Sequence, residues 1–353
     1  MRPKLAALAA SGVLLFGCAS IIGIEDRHFE EAEQTTPECK AYCDAIMKGC
    51  VGELAAYPDR ATCVATCEKF PSGEATSDNS VECRTVQAEL AVSTGEPGSH
   101  CAGAGPFGAG VCGSTCAGYC SLLAAACTEP AVNVDSCAAA CAGLRSDAIF
   151  DLGKLASGDN VECRVAEASL AARFPKLHCG GAQLKSGTCV DEPKGAPDCD
   201  DVCRLIGAVC SGANAVYESE EQCLSVCKTL DPGENSDQTG NTAACRKYHA
   251  YNSIAAPGQH CPHTGPGGDG HCGKDNCESY CLLLSRACKT EFQTFGDQNA
   301  CRSACAKLPG AGLDTWKNVE PTGNNVRCRL VNVARATVDP AACAAAAGGG
   351  ECS

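Results

Sequence analysis

Thirty-two of the thirty-three cysteines in this chain fall into four successive sets of eight, and no other feature constrains its folding as strongly. The first set is Cys39, Cys43, Cys50, Cys63, Cys67, Cys83, Cys101 and Cys112, and the second is Cys116, Cys120, Cys127, Cys137, Cys141, Cys163, Cys179 and Cys189. The third is Cys199, Cys203, Cys210, Cys223, Cys227, Cys245, Cys261 and Cys272, and the fourth is Cys277, Cys281, Cys288, Cys301, Cys305, Cys328, Cys343 and Cys352. Each opens with C-x3-C-x6-C, continues after nine or twelve residues with a second C-x3-C, and closes with three more widely spaced cysteines. Thiols at this density and in even sets imply a disulfide framework in an oxidising compartment. No C-x-x-C occurs, which argues against zinc ribbons, thioredoxin-like redox motifs and covalent haem attachment.

The spacing also orders the repeats. The gap from fifth to sixth cysteine is 15 and 17 residues in sets one and three but 21 and 22 in sets two and four. The chain therefore reads as a duplicated two-repeat module: repeat one over 38–113, repeat two over 114–190, a Pro-bearing linker over 191–198, repeat three over 199–273 and repeat four over 274–353. Short spacers inside each pair and the linker between them predict two rigid rods joined by a modest hinge.

Helical geometry supplies the interior of a repeat. Positions i, i+4, i+7 and i+11 share one face of a helix, so Cys39, Cys43, Ile46 and Cys50 form one stripe, with Leu123, Ile206 and Leu284 equivalent to Ile46. A second helix is expected to begin near Asp59, Asp135, Ser219 and Asp297, all good N-caps, with Gln222 completing a capping-box spacing after Ser219. Antiparallel packing of the two sets Cys39 against Cys67 and Cys43 against Cys63. The same bonds in the other repeats are Cys116–Cys141 and Cys120–Cys137, Cys199–Cys227 and Cys203–Cys223, Cys277–Cys305 and Cys281–Cys301. A third helix starts at the phrase around Asn79, Asn160, Asn241 and Asn325 that ends in Cys-Arg, read as cap punctuation. Cys50–Cys101 and Cys83–Cys112 are the preferred remaining pairs, although spacing alone leaves the sixth to eighth cysteines open. The fold class expected is all-α: four stapled repeats of about three short helices and four disulfides each.

The odd cysteine, Cys18, follows an N-terminal segment with Arg2, Lys4 and an apolar run from Leu5 to Phe16, too short to span a bilayer and built like an export signal over 1–17. Leu15-Phe16-Gly17-Cys18 resembles the lipobox of bacterial lipoproteins. That resemblance implies cleavage before Cys18, acylation of its thiol and amine by chains such as palmitate, and anchoring in the cell envelope. Ala19 in place of aspartate favours the outer membrane. Residues 18–37, with Glu25, Asp26, Glu30, Glu31 and Glu33, read as an acidic solvated tether. The repeat organisation together with Ile21 to Arg27 is similar to multi-repeat cysteine-rich lipoproteins of myxobacteria and related large-genome bacteria, which implies location more than activity.

Composition narrows the partners. A net charge of −14 argues against nucleic acid. Expected partners are the membrane, through the lipid, and an envelope or extracellular protein or polymer. No cofactor and no catalytic residue is assigned. Gly103 to Gly108 and Gly265 to Gly270 match G-x-G-x-x-G but lie between the last two cysteines of their repeats, with no strand before them, and read as tight turns. Ser225-Val226-Cys227-Lys228 matches S-x-x-K without its companion motifs. The histidines stand out most. His100, His178 and His260 each precede a seventh cysteine, and repeat three adds His249, His263 and His271, weak candidates for transition-metal ligands. Phe150 and Trp316, in the long insertions of repeats two and four, are possible contact aromatics. The primary reading is a lipid-anchored, non-catalytic binding or structural module. The alternative is a metal- or ligand-binding lipoprotein using repeat three, and a secreted hydrolase or thiol-disulfide enzyme ranks below both.

Overall fold

A computed structural model describes residues 35–146 and 158–353, so Cys18 and Phe150 lie outside the described residues. Residues from Thr36 to Ser353 form one compact unit. The described residues are helical, with no strand beyond two isolated bridges.

Among the described residues, repeats one to three each show four α-helices and repeat four shows five, one of them a single extra turn, where about three were expected. Repeat one has α1 (Pro37–Gly49), α2 (Arg60–Cys67), α3 (Val81–Ser93) and α4 (Pro97–Ala104). Repeat two has α5 (Thr115–Ala126), α6 (Val134–Cys141), α7 (Val161–Arg173) and α8 (Pro175–Ala182). Repeat three has α9 (Cys199–Val209), α10 (Glu220–Thr229), α11 (Ala243–Ser253) and α12 (Pro257–Thr264). Repeat four has α13 (Asn276–Ala287), the extra turn α14 (Lys289–Phe292), α15 (Gln298–Cys305), α16 (Val326–Ala336) and α17 (Cys343–Ala346). The fourth helix is announced by a proline: Pro97, Pro175 and Pro257 start it and Pro340 starts the 3-10 turn before α17. Proline suits a first helical position because its missing N–H would be unsatisfied there anyway.

All thirty-two repeat cysteines are bonded. In repeat one Cys39 joins Cys67, Cys43 joins Cys63, Cys50 joins Cys101 and Cys83 joins Cys112. The other repeats follow the same order, with hairpin bonds Cys116–Cys141, Cys120–Cys137, Cys199–Cys227, Cys203–Cys223, Cys277–Cys305 and Cys281–Cys301. Asp59, Ser219 and Asp297 cap the second helices, accepting from Thr62, Gln222 and Ala300. In repeat two the cap is Asn133, not Asp135, because Asn133 lies outside the helix where its side chain can accept from the N–H of Ser136.

The Cys-Arg phrase does more than cap. Arg84 is fully buried, and its guanidinium donates to the carbonyls of Ser80, Gly105 and Pro106 and to Asn79 Oδ1. Arg246 makes the same set to Thr242, Gly265, Pro266 and Asn241. The arginine thus pins the glycine loop that follows the fourth helix to the start of the third.

Repeat one has its own core around Tyr42 and Ile46, while one continuous core runs through repeats two, three and four. The linker does not act as a hinge. Asn235 N–H donates to Gly195 O at 2.8 Å and Ser236 N–H to Pro193 O at 3.1 Å, which ties 193–195 to repeat three. Asp159 of repeat two accepts from the hydroxyl of Tyr251 at 2.6 Å and from Lys247 Nζ at 3.0 Å, both from α11. Gly143, just past α6, meets α9 so closely that an added Cβ would lie 2.8 Å from Leu205 Cα. Polar pairing and backbone approach make this junction rigid.

Candidate metal centre

The feature of α11 and α12 that the fold turns inward is imidazole. His249 sits four residues after the sixth cysteine on α11, and His260 and His263 flank Cys261 on α12, whose position is fixed by the Cys210–Cys261 bond. His249 Nδ1 lies 3.3 Å from His260 Nδ1 and 3.2 Å from His263 Nδ1. Two nitrogens bound tetrahedrally to one zinc at about 2.05 Å are about 3.3 Å apart, so these two distances, which also fit imidazole hydrogen bonds, are compatible with ligands of one ion.

A second triad adjoins the first. His271 stacks on His263 with ring centroids 3.8 Å apart, and its Nε2 is 2.9 Å from Asp314 Oδ1, which also lies 3.7 Å from His263 Nε2. His263 therefore faces one triad with Nδ1 and the other with Nε2. Asp314 comes from the repeat-four insertion, which is latched by Asp269: its Oδ1 accepts the N–H groups of Thr315 and Trp316, both at 3.0 Å. The Gly265–Gly270 loop is thus a turn that carries this latch, with Gly268 and Gly270 at φ 68° and 79°. Glycine is required there because other side chains resist that region.

Burial and mutual repulsion favour the neutral form of His249, His260 and His263, the form that ligates metal. Burial, then the neighbouring His263, His260, His271 and Lys185, lowers His249 to about 3. Burial first and His271 next lower His263 to about 4. His260 is lowered as well, by burial, His271 and Lys185. Cys245 and Cys272 approach His249, but they are bonded to each other and offer no thiolate.

All four histidines named from the sequence, His249, His260, His263 and His271, converge here. His100 and His178 instead meet Gln87 Oε1 at 2.9 Å and Glu167 Oε2 at 3.0 Å within their own repeats. Trp316 is not a surface contact aromatic: it is 5% exposed, because the Asp269 latch draws its backbone inward and Arg327 covers its ring at 5.2 Å. Ser225 Oγ donates to Thr337 O at 2.8 Å, a structural bond. Asp314 was not foreseeable, since nothing in the spacing ties the repeat-four insertion to repeat three. The one available sign was positional: Gln87, Glu167 and His249 all stand four residues after a sixth cysteine, facing the histidine before the seventh.

Comparison with known proteins locates the chain broadly. Residues 24–116 and 198–276, just under half of it, match the BfoA family C-terminal domain. The two segments fall on repeats one and three, in line with the duplication. The chain is similar to aurasperone B biosynthesis cluster protein A of Aspergillus niger, 33% identical over 75 residues, covering 21% of this chain and 25% of the relative. It is likewise similar to bifonsecin B biosynthesis cluster protein A of Aspergillus brasiliensis, 33% identical over 75 residues with the same shares of 21% and 25%. The chain thus spans about a quarter of the length of these curated relatives. No solved structure matches it. What fold and comparisons define is a disulfide-rich helical protein of an oxidising, exported environment. Among the described residues no helix is long and apolar enough to cross a membrane.

Proposed function

We propose that the chain is a non-catalytic, lipid-anchored cell-envelope module that holds a transition-metal ion through His249, His260 and His263. The observation that carries this reading is that His249 Nδ1 lies 3.2–3.3 Å from nitrogens of both His260 and His263, all three within 4.8 Å of one another. Imidazole donors suit zinc and copper, with copper binding the tighter of the two. His271 and Asp314 supply a neighbouring triad that can share the load of a second ion or steady His263. The disulfides hold the ligands without help from metal, so the ion is bound by a prebuilt site rather than required for folding. Anchoring rests on the lipobox-like segment ending at Cys18, and two acyl chains suffice for stable attachment. A non-catalytic role is supported by the sixteen bonded cysteine pairs and by the structural bond of Ser225.

Metal-free protein titrated calorimetrically with Zn2+ and with Cu2+, then dialysed and analysed for metal, should retain one equivalent. His260→Ala, a partly exposed change, should weaken binding by more than tenfold while leaving the circular dichroism intact, and His178→Ala should bind like the parent. Absence of saturable binding, or equal binding by His260→Ala and the parent, overturns the site. For the anchor, Cys18→Ser should move the protein from the detergent phase to the aqueous phase on phase partition; retention in detergent overturns it.

A further inference from the structure

Repeats two and three enclose a second feature, a cleft of about 260 Å³ that is open to solvent and separate from the imidazoles. Its floor carries Arg164 and Lys247, both buried. These cations are already matched. Arg164 Nη2 is 2.7 Å from Asp159 Oδ1, and Lys247 Nζ is 2.8 Å from Asp191 Oδ2 and 3.0 Å from Asp159 Oδ2. Burial would raise the Asp159 carboxyl, but Arg164 and Lys247 hold it below its ordinary value, so the floor is a closed set of charges.

Lys185 on the rim is the surplus. Its Nζ is exposed, donates to Asn252 Oδ1 at 2.5 Å and sits 4.6 Å from the centre of the Tyr248 ring, and among the described residues no carboxylate lies within ion-pair distance. A positive excess at one cleft of a chain with net charge −14 selects for an anion. The walls select for a flat apolar body, being lined mostly by carbon: Val190, Pro193 and the rings of Tyr248 and Tyr251. The uncharged polar side chains of the lining are Ser186, Ser236 and Asn235.

From these two demands we infer that the cleft binds a small aromatic carboxylate, with its acid group at Lys185 and its ring against the tyrosines. The volume sits at the lower end for ligand pockets and suits one or two fused rings. Tyr248 also separates the cleft from the metal centre, since its ring meets that of His249 edge-on at 5.2 Å. The inference does not depend on metal binding.

The test uses the full chain with 6-hydroxy-2-naphthoate as a fluorescent probe, in the presence of EDTA. One saturable equivalent should bind. Lys185→Gln, an exposed change, should weaken it about tenfold, the effect of losing one charge-assisted contact. Removing the acid, with 2-naphthol, or the aromatic ring, with cyclohexanecarboxylate, should weaken binding at least as much. No saturation by about 1 mM probe overturns the inference. So does equal binding by Lys185→Gln and Tyr248→Leu, which would place the probe elsewhere. Loss of binding in EDTA, or in His260→Ala, would assign the probe to a bound metal and also overturns it, whereas a metal site that fails its own test leaves this result untouched.

Discussion

Asp159 is where one repeat departs from the others, and Asp159→Asn asks why. The arginine after each sixth cysteine bonds the residue five places before it: Asn79 for Arg84, Asn241 for Arg246, Asn324 for Arg329, but Asp159 for Arg164. An amide therefore serves the arginine, and the carboxylate must serve something else, namely Lys247 and Tyr251 of the next repeat. Stripping one partner from a buried ion pair costs about 3–5 kcal/mol when the other charge is left alone. Lys247 would keep Asp191 at 2.8 Å, and the substituted amide would keep the bond to Arg164, so the expected loss is about 2 kcal/mol. Guanidinium unfolding at pH 7 with disulfides intact measures it directly. The difference should also depend on pH. Because the folded carboxyl is held below its ordinary value, its contribution is fully present above about pH 3.9 and is lost as pH falls through the lower folded value. Parent and Asp159→Asn should converge once pH falls below that folded value. Equal stability at pH 7, or a gap that persists unchanged in acid, would refute the claim that this charge joins repeats two and three.

Other outcomes follow from the same geometry. Removing Cys50 and Cys101 together opens a loop spanning 51 residues and should cost about 4 kcal/mol, against about 3 for Cys43 with Cys63 and its span of 20; comparing melting temperatures of the two double alanine variants checks the order. Gly143→Ala drives a methyl into Ala208 and Leu205 of α9 and should cost about 1–3 kcal/mol in denaturant unfolding, although its backbone accepts any residue. Arg84→Lys gives one ammonium to replace a guanidinium that reaches Asn79, Ser80, Gly105 and Pro106, and should cost about 2 kcal/mol or more by the same measurement.

The sequence carried the all-helical class because cysteine spacing and helical periodicity agree: a stripe such as Cys39, Cys43, Ile46 and Cys50 has one way to be buried. The fourth helix escaped notice because its eight residues are glycine- and histidine-rich, as in Pro-Gly-Gln-His-Cys-Pro-His-Thr, and show no apolar stripe; only the leading proline marks it. The buried arginine escaped for a different reason. A charged residue after a cysteine reads as solvated, and its burial depends on carbonyls of a loop some twenty residues away. The rigid junction at 191–198 was likewise invisible, since Pro and Gly promise freedom locally while Asn235 and Ser236 hold the segment through long-range bonds. Of the metal centre, the four histidines were legible as a group, whereas Asp314 and the common focus of His249, His260 and His263 required the fold.

Repeat proteins separate theme from departure, and both candidate sites here are departures. In repeats one and two the histidine before the seventh cysteine meets Gln87 or Glu167, a pair that satisfies both side chains. Repeat three keeps the histidine, His260, and exchanges the partner for His249. It then places His263 where repeats one and two have Gly103 and Gly181, and His271 where repeat one has Val111. Those glycines have no room for a ring: a Cβ on Gly103 would press on Val111 and one on Gly181 on Glu167. Repeat three has neither that valine nor that glutamate, its equivalents being His271 and His249, so the four imidazoles fit together where repeats one and two hold a single histidine pair. Asp159, Lys247 and Tyr251 are a departure of another kind on the other side of Tyr248, a matched set that ties repeat two to repeat three. The disulfide frame does not call for the imidazoles, because the neighbouring repeats keep the same bonds without them. Repeats one, two and four keep the same disulfide frame, and the convergence of imidazoles is confined to repeat three and the Asp314 loop that reaches it.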